Sequence, residues 1–83
     1  MRPLARRALL DLFKLRCQTR REVAEALVLV AEDTRYWEPA QRLSERYLEA
    51  LHSAPELQAV AQAARELAEQ VRRERANTGG PHR

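Results

Sequence analysis

Cys17, His52 and His82 are the side chains of this 83-residue chain best suited to act as nucleophile, base or soft metal ligand, and their spacing supports none of those uses. A thiol becomes a working nucleophile when a base lies beside it to hold the thiolate. Cys17 has no histidine near it in sequence, so it reads as a small hydrophobe that is partly buried. His52 stands just before Ser53, where an imidazolium would suit a helix C-terminus. Glu32, Asp33 and Glu38 form an acidic cluster whose spacing fits a solvated helix end better than a cation site. One cysteine forms no disulfide within the chain, and with two histidines it builds no zinc-ligand spacing. The sequence holds no Gly-rich phosphate loop, GxSxG elbow, HExxH or CxxC pair. The reading is therefore non-catalytic, with no catalytic, cofactor or metal site and no cofactor.

The elements that would position any other kind of site are helices. Leu, Ala, Glu, Arg and Gln fill most of the chain, both glycines lie near the C-terminus, and Pro3, Pro39 and Pro55 punctuate the rest. Pro3 suits a first helical turn. Thr19-Arg20-Arg21-Glu22 fits a capping box, which would start a second helix. With no Gly or Pro between the two segments, one long bent helix over 4–35 stays open as the alternative. Glu38-Pro39 and Ser53-Ala54-Pro55-Glu56 each end one helix and open the next. The expected elements are helices at about 4–17, 20–35, 39–52 and 54–75. Together they form one domain over 1–76, followed by a disordered tail over 77–83. Pro55 argues against a single helix running through the third and fourth segments, because inside a helix it costs about 3 kcal/mol. The fold class is all-α: a small antiparallel bundle of three to four helices, completed by dimerisation.

The helix faces supply the reason for a second chain. In the fourth segment Leu57, Val60, Ala64, Leu67 and Val71 form a narrow stripe flanked by Ala61 and Ala68, and in the third Leu43, Tyr47, Ala50, Leu51 and Ala54 point inward. The first segment is apolar over most of its circumference, with Leu4, Ala5, Ala8, Leu9, Leu12 and Leu15 on one broad side and Leu10, Phe13 and Cys17 toward another. The second has a wide apolar arc from Val23 to Ala31, while Leu29 falls on the acidic side with Glu22, Glu25 and Glu32. A chain of 9.6 kDa buries roughly 60% of its unfolded surface, too little to hide such helices on all sides. The expected contact surface is Leu9, Leu10, Phe13 and Leu29, with Tyr36 and Trp37 at the following corner; that corner pair equally suits the end of a small core.

Charge is segregated along the chain. Residues 1–21 hold seven basic and one acidic side chain, and residues 22–49 hold three basic and seven acidic ones, within a net charge of +3. Nucleic-acid binding through Arg2, Arg6, Arg7, Arg16, Arg20 and Arg21 is the alternative function; neutralisation by the acidic face of a neighbouring helix or subunit is the favoured one. The segment 19–27, Thr19-Arg20-Arg21-Glu22-Val23-Ala24-Glu25-Ala26-Leu27, resembles the first helix of helix-turn-helix DNA-binding domains, which implies a recognition helix after it. The places that usually hold the turn glycine and the next cap are Val28 and Val30, and valine does not readily supply a positive-φ turn.

Asp11 and Lys14 interrupt the apolar stretch at the N-terminus, and no small-residue cleavage site follows, so that stretch reads as mature structure rather than a signal peptide. The longest apolar run, Ala26–Ala31, is far short of the roughly 20 residues of a membrane span. The expected protein is cytoplasmic and binds no membrane. It is a self-associating helical interaction module, a small regulator or adaptor, with a homodimer or another protein as its partner.

Overall fold

The computed structural model describes the backbone of residues 3–79 and the side chains of residues 6–77. The chain is all-helical: α1 (Pro3–Val30), a 3-10 turn (Thr34–Tyr36), α2 (Trp37–Ala50) and α3 (Ala54–Gly79), with no strand among the described residues. Three helices therefore stand where four segments were expected.

The difference lies at Thr19. Its hydroxyl does not cap a helix; it is fully buried and donates to the Leu57 carbonyl of α3 at 3.3 Å. Glu22, the other half of the expected capping box, accepts instead from Arg65 Nη1 at 3.0 Å. Both side chains are thus engaged across the bundle, and α1 runs through residues 17–20 unbroken. It ends without Gly or Pro by tightening to i→i+3 bonds, with the amides of Ala31 and Asp33 donating to the carbonyls of Val28 and Val30. Asp33 then takes an extended backbone (φ −120°, ψ 102°) and caps the 3-10 turn, its carboxylate accepting from the Arg35 amide at 3.1 Å.

The proline expectations hold in part: both prolines lie in first turns, but α1 ends at Val30, well before Glu38, which is itself within α2. Pro39 sits in the first turn of α2 and Pro55 in that of α3, where a missing N–H costs nothing. The α2–α3 break falls at 51–53, and the Leu57 amide donates to the Ser53 carbonyl at 2.9 Å to start α3. α3 continues to Gly79, so residues 77–79 belong to a helix rather than a tail; residues 80–83, with His82, lie outside the described residues.

Contacts across the bundle set the directions. Arg16, Thr19, Glu22 and Leu29 of α1 meet Leu51, Leu57, Arg65 and Arg75 in that ascending order, so α1 and α3 run the same way. α2 packs along α3: Pro39 and Leu43 share a groove with Ala63 and Leu67, while Glu49 and Ala50 share one with Glu56 and Val60. The core follows the expected α3 stripe. Leu57, Val60, Ala64 and Ala68 join Val23, Ala26, Leu43 and Ala50 in one cluster, and Val71 joins Val30, Tyr36 and Ala40 in another at the far end. Alanines 26 and 64, each with no exposed surface, let α1 and α3 approach closely.

The same pairings stagger α1 against α3. Because Arg16 lies level with the start of α3, roughly ten residues of α1, about 15 Å of helix, extend beyond it. The described side chains of that arm, residues 6–11, are all exposed.

At the opposite end, Arg35 grips Asp33 through Nε and Nη2 at 3.1 and 2.8 Å. This hydrogen bond is the main cause that holds the Asp33 carboxyl below its ordinary 3.8, against a smaller opposing effect of burial. A lowered carboxyl contributes stability that is complete above the ordinary value and is lost as pH falls through the lowered one. Asp33→Asn should therefore melt below the parent at pH 6, and the gap should close as both are scanned from pH 4 to pH 2. A gap that is constant over that range would show that the ionised carboxylate contributes nothing.

Candidate functional site

The six large apolar side chains exposed among the described residues are Leu9, Leu10, Phe13, Val28, Trp37 and Leu48, at 54–75% exposure. Four belong to α1, two to α2 and none to α3. The outer side of α3 is instead polar and self-paired: Arg65 with Gln62, Gln62 with Glu66, and Arg73 with Glu69. Apolar surface without a cover thus lies on α1 and α2 rather than on α3.

On α1, at 100° per residue, the buried or half-buried set is Leu12, Leu15, Thr19, Val23, Ala26 and Val30, which faces α2 and α3. A second set, Leu10, Phe13, Cys17, Ala24 and Val28, falls on the far side of the helix, and every member is exposed. Beside that stripe runs a line of charge: Arg7, Lys14 and Arg21, then Glu25, with Glu32 in the turn just after α1. All five are exposed, and none forms an ion pair within the described residues. A shallow groove beside it, lined by Phe13, Lys14, Cys17, Glu25, Arg65 and Arg72 among others, measures about 670 Å³.

Three of the expected contact residues, Leu9, Leu10 and Phe13, are exposed on the arm of α1 (54%, 55% and 61%). Leu29 is half-buried against the core, and its carbonyl accepts from Arg75. Its position on the acidic side of α1 is where α3 packs, and this removes it from a free surface. Tyr36 is 5% exposed in the second core cluster, so of the corner pair Trp37 alone faces outward. Trp37 also stands at the opposite end of α1 from Leu9, about 30 Å away along the helix, and the two do not form one patch within a chain.

Sequence reasoning missed Val28 and Leu48, the two most exposed of the six at 75% and 64%. Val28 belongs to the apolar arc of its neighbours by composition only: at 100° per residue it lies 140° from Val23, whereas Val30 lies 20° from Val23. Leu48 sits 100° to 160° away from Leu43, Tyr47 and Ala50, a signal equally present in the spacing. Glu49 and His52, a Glu-x-x-His spacing at the end of α2, are both exposed, and among the described residues no group of three or more His, Cys, Asp and Glu is placed to hold a metal ion. No described helix is long and apolar enough to cross a membrane.

Of the basic residues, Arg6, Arg7, Arg20 and Arg21 are exposed and Arg2 lies outside the described side chains. Arg16 is committed elsewhere: half-buried, it donates Nη2 to the Leu51 carbonyl at 3.1 Å, near the C-terminal end of α2. The helix-turn-helix resemblance meets a helix that continues through Val28 to Val30, with no turn after Leu27.

Tyr36 offers a check on the core beside this surface. Its hydroxyl is buried with no hydrogen-bond partner, while Arg35 lies 5.5 Å from the ring centre. Removing an unpaired buried hydroxyl relieves a desolvation cost, so Tyr36→Phe should leave the melting temperature unchanged or raise it. A loss of more than about 1 kcal/mol in urea unfolding would mean that the hydroxyl is satisfied in solution.

No family model matches the chain, and no curated protein or solved structure is similar to it beyond the level of chance.

Proposed function

We propose that the chain is a non-catalytic helical interaction module of the cytoplasm that associates with itself, serving as a small regulator or adaptor. The observation that supports this reading most is the outward stripe of α1. Leu10, Phe13 and Val28 are each more than half exposed on a helix whose other side already carries the core, so covering them needs a second chain. Leu9 and Trp37 add to the surface to be covered. The exposed free thiol of Cys17 suits a reducing compartment. A homodimer turns the arm of α1 from an unsupported extension into part of a larger core, which completes the bundle.

The test is light scattering over a dilution series of the full chain. The proposal expects twice the monomer mass at high micromolar concentration, falling toward the monomer on dilution. A well-folded monomer at the highest concentration would remove it.

One observation favours a second reading, nucleic-acid binding: Arg6, Arg7, Arg20 and Arg21 are exposed along α1. Binding to generic duplex DNA or RNA that weakens steeply with salt, and that is lost when these four become Gln, would establish it in place of the first. An absence of binding at low salt would end it.

A further inference from the structure

Resting on the self-association reading, we infer that the partner of α1 is the α1 of a second copy, packed antiparallel along the outward stripe. Charge along the helix gives the direction. From Arg6 to Arg21 the arm and middle of α1 hold six basic side chains and one acid, whereas Glu22 to Asp33 holds four acids and no base. Parallel packing would set like charges side by side; antiparallel packing sets each basic half against an acidic half.

The pairing also finds a common register. In two antiparallel helices related by a two-fold axis, facing residues have numbers with a constant sum. Placing Leu10 against the second copy's Val28 gives a sum of 38, and Phe13 against its Ala24 gives 37. The charged line gives 39 for Lys14 with Glu25, and the turn just beyond α1 brings Glu32 to the level of Arg7. One residue is about 1.5 Å of helix, so the apolar stripe and both charge pairs are met by one arrangement, with its axis near residue 19. All four charged residues are exposed, and none has an ion-pair partner within the described residues.

The experiment compares the dimer constants of the parent, R7E/K14E, E25K/E32K and the variant with all four changes, by sedimentation at constant salt. Each double variant turns four attractive pairs into repulsive ones across the symmetric interface and should dimerise about 100-fold more weakly. An equimolar mixture of the two doubles should restore a dimer, now mixed, to within about tenfold of the parent. The fourfold variant should dimerise alone, which a folding defect in either double would prevent. Doubles that dimerise as well as the parent, or a mixture that stays monomeric, would overturn the geometry while leaving self-association standing. A parent that is itself monomeric would remove both.

Discussion

Leu57→Ala should cost about 3 kcal/mol of folding stability, with 2–5 kcal/mol as the usual range for a buried leucine. Leu57 has no exposed surface and packs with Val23, Leu43 and Val60 at the point where Thr19 reaches across to its carbonyl. A cavity there touches all three helices. At about 0.05–0.15 kcal/mol per residue, an 83-residue chain holds roughly 4–12 kcal/mol in total, so the substitution removes a large share of it. Urea unfolding at matched protein concentration reads the change, since association would otherwise shift the midpoint. A cost below about 1 kcal/mol would mean that α1 and α3 do not pack around this residue.

The second large effect is on assembly. Changing Leu10 and Phe13 together to Asp should weaken self-association by about 1,000-fold or more, because a two-fold axis counts each lost apolar contact twice and a buried carboxylate adds its own cost. The folded monomer should be as stable as the parent or nearly so, since both side chains are more than half exposed in the single chain (55% and 61%). Helical circular dichroism and mass by light scattering, taken on the same samples, separate the two outcomes. A variant that still dimerises as tightly as the parent would move the contact away from α1. A variant that loses its helicity would show instead that these side chains belong to the monomer core.

Helix content, the break before Pro55 and the α3 core stripe were legible in the sequence because each rests on local chemistry. Proline fixes φ and lacks an N–H wherever it stands, and a stripe such as Leu57, Val60, Ala64 and Val71 has one way to face inward. Thr19 was not legible for the converse reason. A threonine three residues before a glutamate has the composition of a capping box, and what decides against it is a carbonyl 38 residues away, with Arg65 drawing Glu22 into an ion pair. Arg16 and Leu29 were misjudged in the same way: their faces of α1 are covered by the α2–α3 turn and by α3, which the local spacing does not show. Exposure of Leu9, Leu10 and Phe13 followed from their spread around one helix. Their isolation from Trp37 did not, since it depends on α1 being one rod rather than two helices that fold back on each other.

The continuity of α1 changes the meaning of the charge segregation as well. On two separate helices the basic first third and the acidic segment after it could neutralise each other within the chain. On one continuous helix they are held apart, and a second copy can bring them together.

The most direct measurement is the mass of the full chain in solution across the range from about 1 µM to 1 mM, where dimer constants for interfaces of this kind fall. The account predicts a shift from monomer to dimer within that window, and a weaker dimer at higher salt as the charges between copies are screened. A mass equal to one chain at every concentration, with the helical signal intact, would contradict it.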